Sequence, residues 1–101
     1  MEDAKLIYYT QNGSSADEVE IDVYVEEVDI YGKEFYMSYQ SGINVSLALK
    51  VNKYDFVETE HRDTPSGPVK YASQVLYKGS KYKIIRHQNV DKEEKILMIC
   101  G

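Results

Sequence analysis

Ile43-Asn44-Val45-Ser46-Leu47-Ala48-Leu49-Lys50-Val51 sets apolar residues at every odd position and smaller or polar ones between them. A period of two over nine residues is the pattern of a β-strand with one face buried, because successive side chains of an extended chain point to opposite sides. Outward toward the N-terminus, Val19, Ile21, Val23 and Val25 alternate with Glu18, Glu20, Asp22 and Glu26, and Tyr24 alone interrupts the polar face. After Glu26 and Glu27 the apolar positions move to Val28 and Ile30, so the parity flips and a bulge or bend is expected there. Such a bend lets one long strand serve two sides of a barrel.

Between these strands, Gly32 to Gln40 loses the two-residue period. Phe35, Tyr36 and Tyr39 fall at spacings that share one helical face, and Ser41-Gly42 supplies a stop, so a short helix is expected. Lys5 to Thr10 is a further strand candidate, followed by a loop over Gln11 to Ser15. In the C-terminal third, Gln74 to Tyr77 and Tyr82 to Arg86 flank Lys78-Gly79-Ser80-Lys81, where glycine admits the positive φ of a tight turn. A second turn fits Asp91 to Glu94, and Lys95 to Cys100 is an apolar run suited to a final strand buried on both sides. The expectation is one all-β domain over residues 1–101: a small, mostly antiparallel barrel of about six strands with one short helix.

Glu58 to Val69 strings charges and two prolines together without an apolar period, and is expected to be a long, mobile loop. Apolar residues make up 43% of the 101 and charged residues 29%, an ordinary globular balance. Ten of the twelve aromatic residues are tyrosine, which suits half-buried strands and wet interfaces. A formal charge of −5 has the wrong sign for neutralising phosphates, so weak or no DNA affinity is expected. Met1 to Thr10 lacks a basic region followed by an apolar stretch, and nowhere do eighteen apolar residues run together, which predicts neither a signal peptide nor a membrane span.

Few residues read as chemistry. His61 stands beside Arg62 and Asp63 without a second histidine or a serine motif, and His87 stands at a strand end beside Arg86; both read as solvated positions. Glu26 and Glu27 point to opposite faces of an extended chain and cannot act as a facing pair. Asp91 to Lys95 lacks the ligand spacing of a calcium loop, and Gly79-Ser80-Lys81 lacks the first glycine and the helix of a phosphate loop. Cys100 has no second cysteine to pair with and reads as an inert thiol. Tyr8, Tyr9, Tyr36 and Tyr39 read as packing or interface residues, there being no basic groove beside them.

The stretch Val23-Tyr24-Val25-Glu26-Glu27-Val28, followed by Tyr31-Gly32-Lys33-Glu34-Phe35-Tyr36, resembles the phage head-tail joining family. Later pieces arrive in the family's order: Leu47 to Val51 resembles its central strand, Tyr54-Asp55 the aromatic and acidic step that follows, Val75 to Ile85 its closing hairpin, and Ile96 to Cys100 its last strand. Many members carry a tryptophan at the start of the first central strand, where this chain has none.

The resemblance implies a structural subunit of a bacteriophage or prophage connector, made in the bacterial cytoplasm and built into the virion. Head completion, head closure and stopper proteins of this kind form a homo-oligomeric ring, with a portal or adaptor ring above and a tail protein below. They help retain the genome, and use no catalytic residue, metal or cofactor. By position, the loop that projects toward the channel in some members is Phe56 to Lys70 here, with Glu58, Glu60, His61, Arg62 and Asp63 as its candidate channel residues. In isolation the subunit is expected to be a monomer. The competing readings are a tail-completion or terminator subunit and a free oligonucleotide-binding-type barrel module.

Overall fold

The computed structural model describes residues 1–29 and 45–101. Among these residues, six strands and one helix follow in the order β1 (Glu2–Asn12), β2 (Ser15–Val28), β3 (Leu47–Asn52), α1 (Lys53–Val57), β4 (Gln74–Tyr77), β5 (Ser80–Asn89) and β6 (Lys95–Cys100). All neighbours are antiparallel, and the sheet closes on itself as β1-β2-β3-β6-β5-β4. The all-β barrel expected from the alternating segments is therefore the fold. The expected helix at Gly32 to Gln40, with Tyr36 and Tyr39, lies outside the described residues.

Local chemistry fixes the hairpins. β1 and β2 are joined by Gly13-Ser14, with Asn12 opposite Ser15 and Gly13 at φ +66°, a region that costs glycine nothing. β4 and β5 are joined by Lys78-Gly79, both at positive φ (51° and 80°), the signature of a two-residue turn whose twist matches the strands it connects. α1 is a single turn. The Asn52 side chain accepts the Tyr54 N–H at 2.8 Å, and Phe56 plugs the end of the barrel at 1% exposure. Burying that ring stabilises by up to about 3 kcal/mol.

The barrel interior takes Leu6, Val25, Leu49, Val51, Phe56, Val75 and Met98, the inward parity of their strands. A second cluster of Val45, Ala48, Leu97 and Ile99, joined by Val28 and Val90, occupies the other face of β3 and β6. β6 is accordingly buried on both faces, as its unbroken apolar run predicted.

This second cluster corrects the expectation at Glu26-Glu27. Pairing runs without a shift from Val25↔Val51 to Val28↔Ala48, so no bulge lies there. The parity flips because Val28 belongs to the outer cluster and Val25 to the inner one. β2 does serve two neighbours, β1 over Ser15 to Val25 and β3 over Val25 to Val28. The register shift lies instead in β5, between Ile84 and Arg86.

Candidate functional site at the mouth of the barrel

Unequal strand lengths shape the end of the barrel that α1 closes. β1 pairs with β2 along its whole length but with β4 only over Ala4 to Ile7. Tyr8 to Asn12 and their β2 partners consequently continue past β4 as a two-stranded arm. Tyr8 lies half-buried at its base, stacked on His61 with ring centroids 4.6 Å apart and planes 19° from parallel. The Tyr9 hydroxyl lies 3.1 Å from both Glu18 Oε1 and Gln74 Oε1, tying the arm to β4. Tyr8 is thus engaged with its own chain, while Tyr24 and Tyr54 are the most exposed tyrosines among the described residues, at 62% and 63%. The sequence signal for Tyr24 was its place on the polar face of β2.

The segment after α1 is anchored, contrary to the expectation of a mobile loop. Thr59 is fully buried; its hydroxyl donates to the Phe56 carbonyl at 2.6 Å and accepts the Ala72 N–H at 2.8 Å. His61 and Lys70 exchange two backbone hydrogen bonds, at 2.9 and 2.8 Å. The Thr59 carbonyl accepts from His61 Nδ1 at 2.8 Å, Arg62 donates to the Gly67 carbonyl at 2.8 Å, and Lys70 forms an ion pair with Asp63. A tight turn over Thr64 to Gly67 closes the end, where a Cβ on Gly67 would stand 2.7 Å from Thr64 Oγ1. Of the five candidate channel residues, His61, Arg62 and Asp63 hold the loop's own shape, and Glu58 and Glu60 are exposed. Polar contacts do here what apolar anchors do elsewhere, which no hydrophobic period registers.

Beside this loop lies a groove that the sequence did not reveal. Phe56, Tyr71 and His87 form an aromatic triad, with centroid separations of 5.4 Å (Phe56–Tyr71), 4.7 Å (Phe56–His87) and 5.6 Å (Tyr71–His87). With Lys53, Asn89 and Ile96 they line a depression of about 340 Å³. His87, Gln88 and Asn89 line it consecutively, which places the backbone edge of β5 along it. Among the described residues, no carboxylate lines this groove.

The charged groups with displaced titration are surface pairs. A hydrogen bond from Tyr77 holds the Glu2 carboxyl below its ordinary range, the Lys81 ammonium does the same for Glu18, and Lys70 for Asp63. Burial pushes the Cys100 thiol up to about 12, where it is inert. Among the described residues no cluster of histidine, cysteine, aspartate and glutamate could hold a metal ion. Among the described residues, the mouth presents an aromatic-walled groove and a projecting two-stranded arm. No family model, curated protein or solved structure matches the chain.

Proposed function

We propose that the chain is a structural subunit of a bacteriophage head-tail connector, working as one member of a ring between the portal or adaptor and the tail and helping to keep packaged DNA in the head. One observation carries the reading: those fragments resembling the head-tail joining family that fall among the described residues lie, in order, on successive elements of one closed barrel, and Tyr31 to Tyr36 lies outside the described residues. Val23 to Val28 ends β2, Leu47 to Val51 is the body of β3, Tyr54-Asp55 opens α1, Val75 to Ile85 spans the β4–β5 hairpin, and Ile96 to Cys100 is nearly all of β6. A small antiparallel barrel is what the resemblance implied. The anchored loop supports a closing role, because a preshaped projection can obstruct a channel without first being ordered.

The test is a nonsense mutation in the gene within its phage. The expected lysate holds separate tails and DNA-filled heads whose DNA becomes sensitive to nuclease, and adding the purified chain restores joining. Normal infectious particles that lack the protein would overturn the reading. A tail-completion role would instead leave heads closed and nuclease-resistant while tails fail to attach.

A further inference from the structure

The groove walled by Phe56, Tyr71 and His87 differs in charge from the other depressions among the described residues. Asp3 and Asp22 line the two depressions beside Ala4, and Asp91 lines the one beside Val90. The aromatic groove has Lys53, Gln88 and Asn89 around its rings instead.

These three polar side chains are uncommitted. Near them in the fold, Lys50 of β3 and Lys95 of β6 hold Glu93 and Glu26, each at 3.2 Å. Among the described residues Lys53 holds no carboxylate, and the side-chain amides of Gln88 and Asn89 make no hydrogen bond. All three are exposed. A cation whose neighbours are neutralised within the chain is left over at the one depression that aromatic rings enclose.

Each part of the groove selects a chemistry. Walls of three rings favour a fourth, because edge-to-face and offset contacts add to the burial of apolar surface. Buried Phe56 and Ile96 form the apolar part of the lining. The amides of Gln88 and Asn89 each offer a donor and an acceptor, which match a peptide group. A single lysine suits a single carboxylate, whereas a nucleic acid is held by neutralising several phosphates, for which a chain of charge −5 is poorly built.

We propose that the groove docks an extended segment of a partner protein in which an aromatic residue stands next to an acidic one. The ring lies against Phe56, Tyr71 and His87, the carboxylate meets Lys53, and the amides of Gln88 and Asn89 bond the segment's backbone. The contact goes beyond the connector reading and does not depend on it.

Amide NMR spectra of the full chain, titrated with acetyl-Gly-Phe-Asp-Gly-amide, test the site. Saturable shifts should gather at Lys53, Val57, Tyr71 and His87 to Asn89. A peptide with alanine for phenylalanine should bind at least about tenfold more weakly, the loss of one buried ring. Lysine for aspartate in the peptide, or Lys53→Gln in the chain, should each weaken binding roughly two- to fivefold, the range of an exposed ion pair. The two losses should not add, and Lys53→Arg should bind as the wild type does. Thermal melts confirm that both variants are folded. Equal binding of the lysine and aspartate peptides would overturn the proposal, as would shifts scattered over the barrel or none at millimolar peptide. Tighter binding of deoxyadenosine monophosphate than of the peptide would make the groove a nucleotide site instead. Groove amides that shift on dilution of the free chain would show a second copy seated there and would equally overturn a separate partner. None of these results touches the connector reading, which the nonsense mutant judges.

Discussion

Replacing Thr59 by valine tests whether the segment after α1 is held by one buried hydroxyl. Valine keeps the shape and removes the oxygen. The Phe56 carbonyl still accepts the Thr59 N–H at 3.1 Å, but the Ala72 N–H loses the acceptor it has at 2.8 Å. An orphaned buried donor costs about 1–3 kcal/mol, and the added apolar surface returns less than about 1 kcal/mol. The net loss of roughly 1–2 kcal/mol corresponds to a fall in Tm of about 5–10 °C for a domain of this size. Thr59→Ser keeps the oxygen and loses a methyl group, at about 1 kcal/mol. Because those stabilities lie close together, amide hydrogen exchange separates the variants. The Ala72 amide should stay protected in Thr59→Ser and exchange much faster in Thr59→Val. A valine variant as stable as the wild type, or one in which that amide remains protected, would refute the anchoring argument.

Leu49→Ala, at a fully buried position inside the barrel, should cost about 2–5 kcal/mol in a urea melt. Gly79→Ala should cost about 1–2 kcal/mol, since any Cβ is strained at φ +80°, while Gly79→Asn should cost less. Stability should fall as pH drops below the ordinary carboxylate values of 4.5 and 3.8. Glu2, Glu18 and Asp63 are depressed in the folded chain, so their contributions are present above those values and lost as pH falls through the lower folded ones; Glu18→Gln should flatten the urea-midpoint profile there. Replacing Arg62 to Val69 by a short glycine linker, with Thr59, His61 and Lys70 kept, should leave the barrel folded by circular dichroism and give heads that leak DNA; full retention would remove the loop from closure.

The strands were legible because a half-buried sheet writes its period into the chain. β4 and β6 begin and end where the turn residues and the apolar run placed them. β1 and β5 run longer than their apolar centres, Glu2–Asn12 against Lys5 to Thr10 and Ser80–Asn89 against Tyr82 to Arg86. Their polar ends are strand because neighbouring strands pair with them, and a partner is invisible to local composition. α1 escaped notice because five residues cannot display a helical period, although Asn52 before Lys53 and Asp55 in the first turn were its capping signals. The flip at Glu26-Glu27 was visible and wrongly explained. A parity change reads the same whether an extra residue is inserted or the buried face is exchanged, and only the pairing of Val28 with Ala48 tells them apart.

The mouth was the least legible part because its residues meet across the chain. His61 beside Arg62 and Asp63 reads as a solvated run until Lys70, Gly67 and Tyr8 are brought opposite them. His87 reads as a strand end until the register shift between Ile84 and Arg86 sets it opposite Met98, on the inward parity that faces Phe56. Strand length held one clue. β2 has 14 residues and β4 has four, so a barrel closed by both must leave the longer strand overhanging. An overhang with apolar alternation invites aggregation unless charge protects it, and Glu18, Glu20 and Asp22 are placed where that protection works.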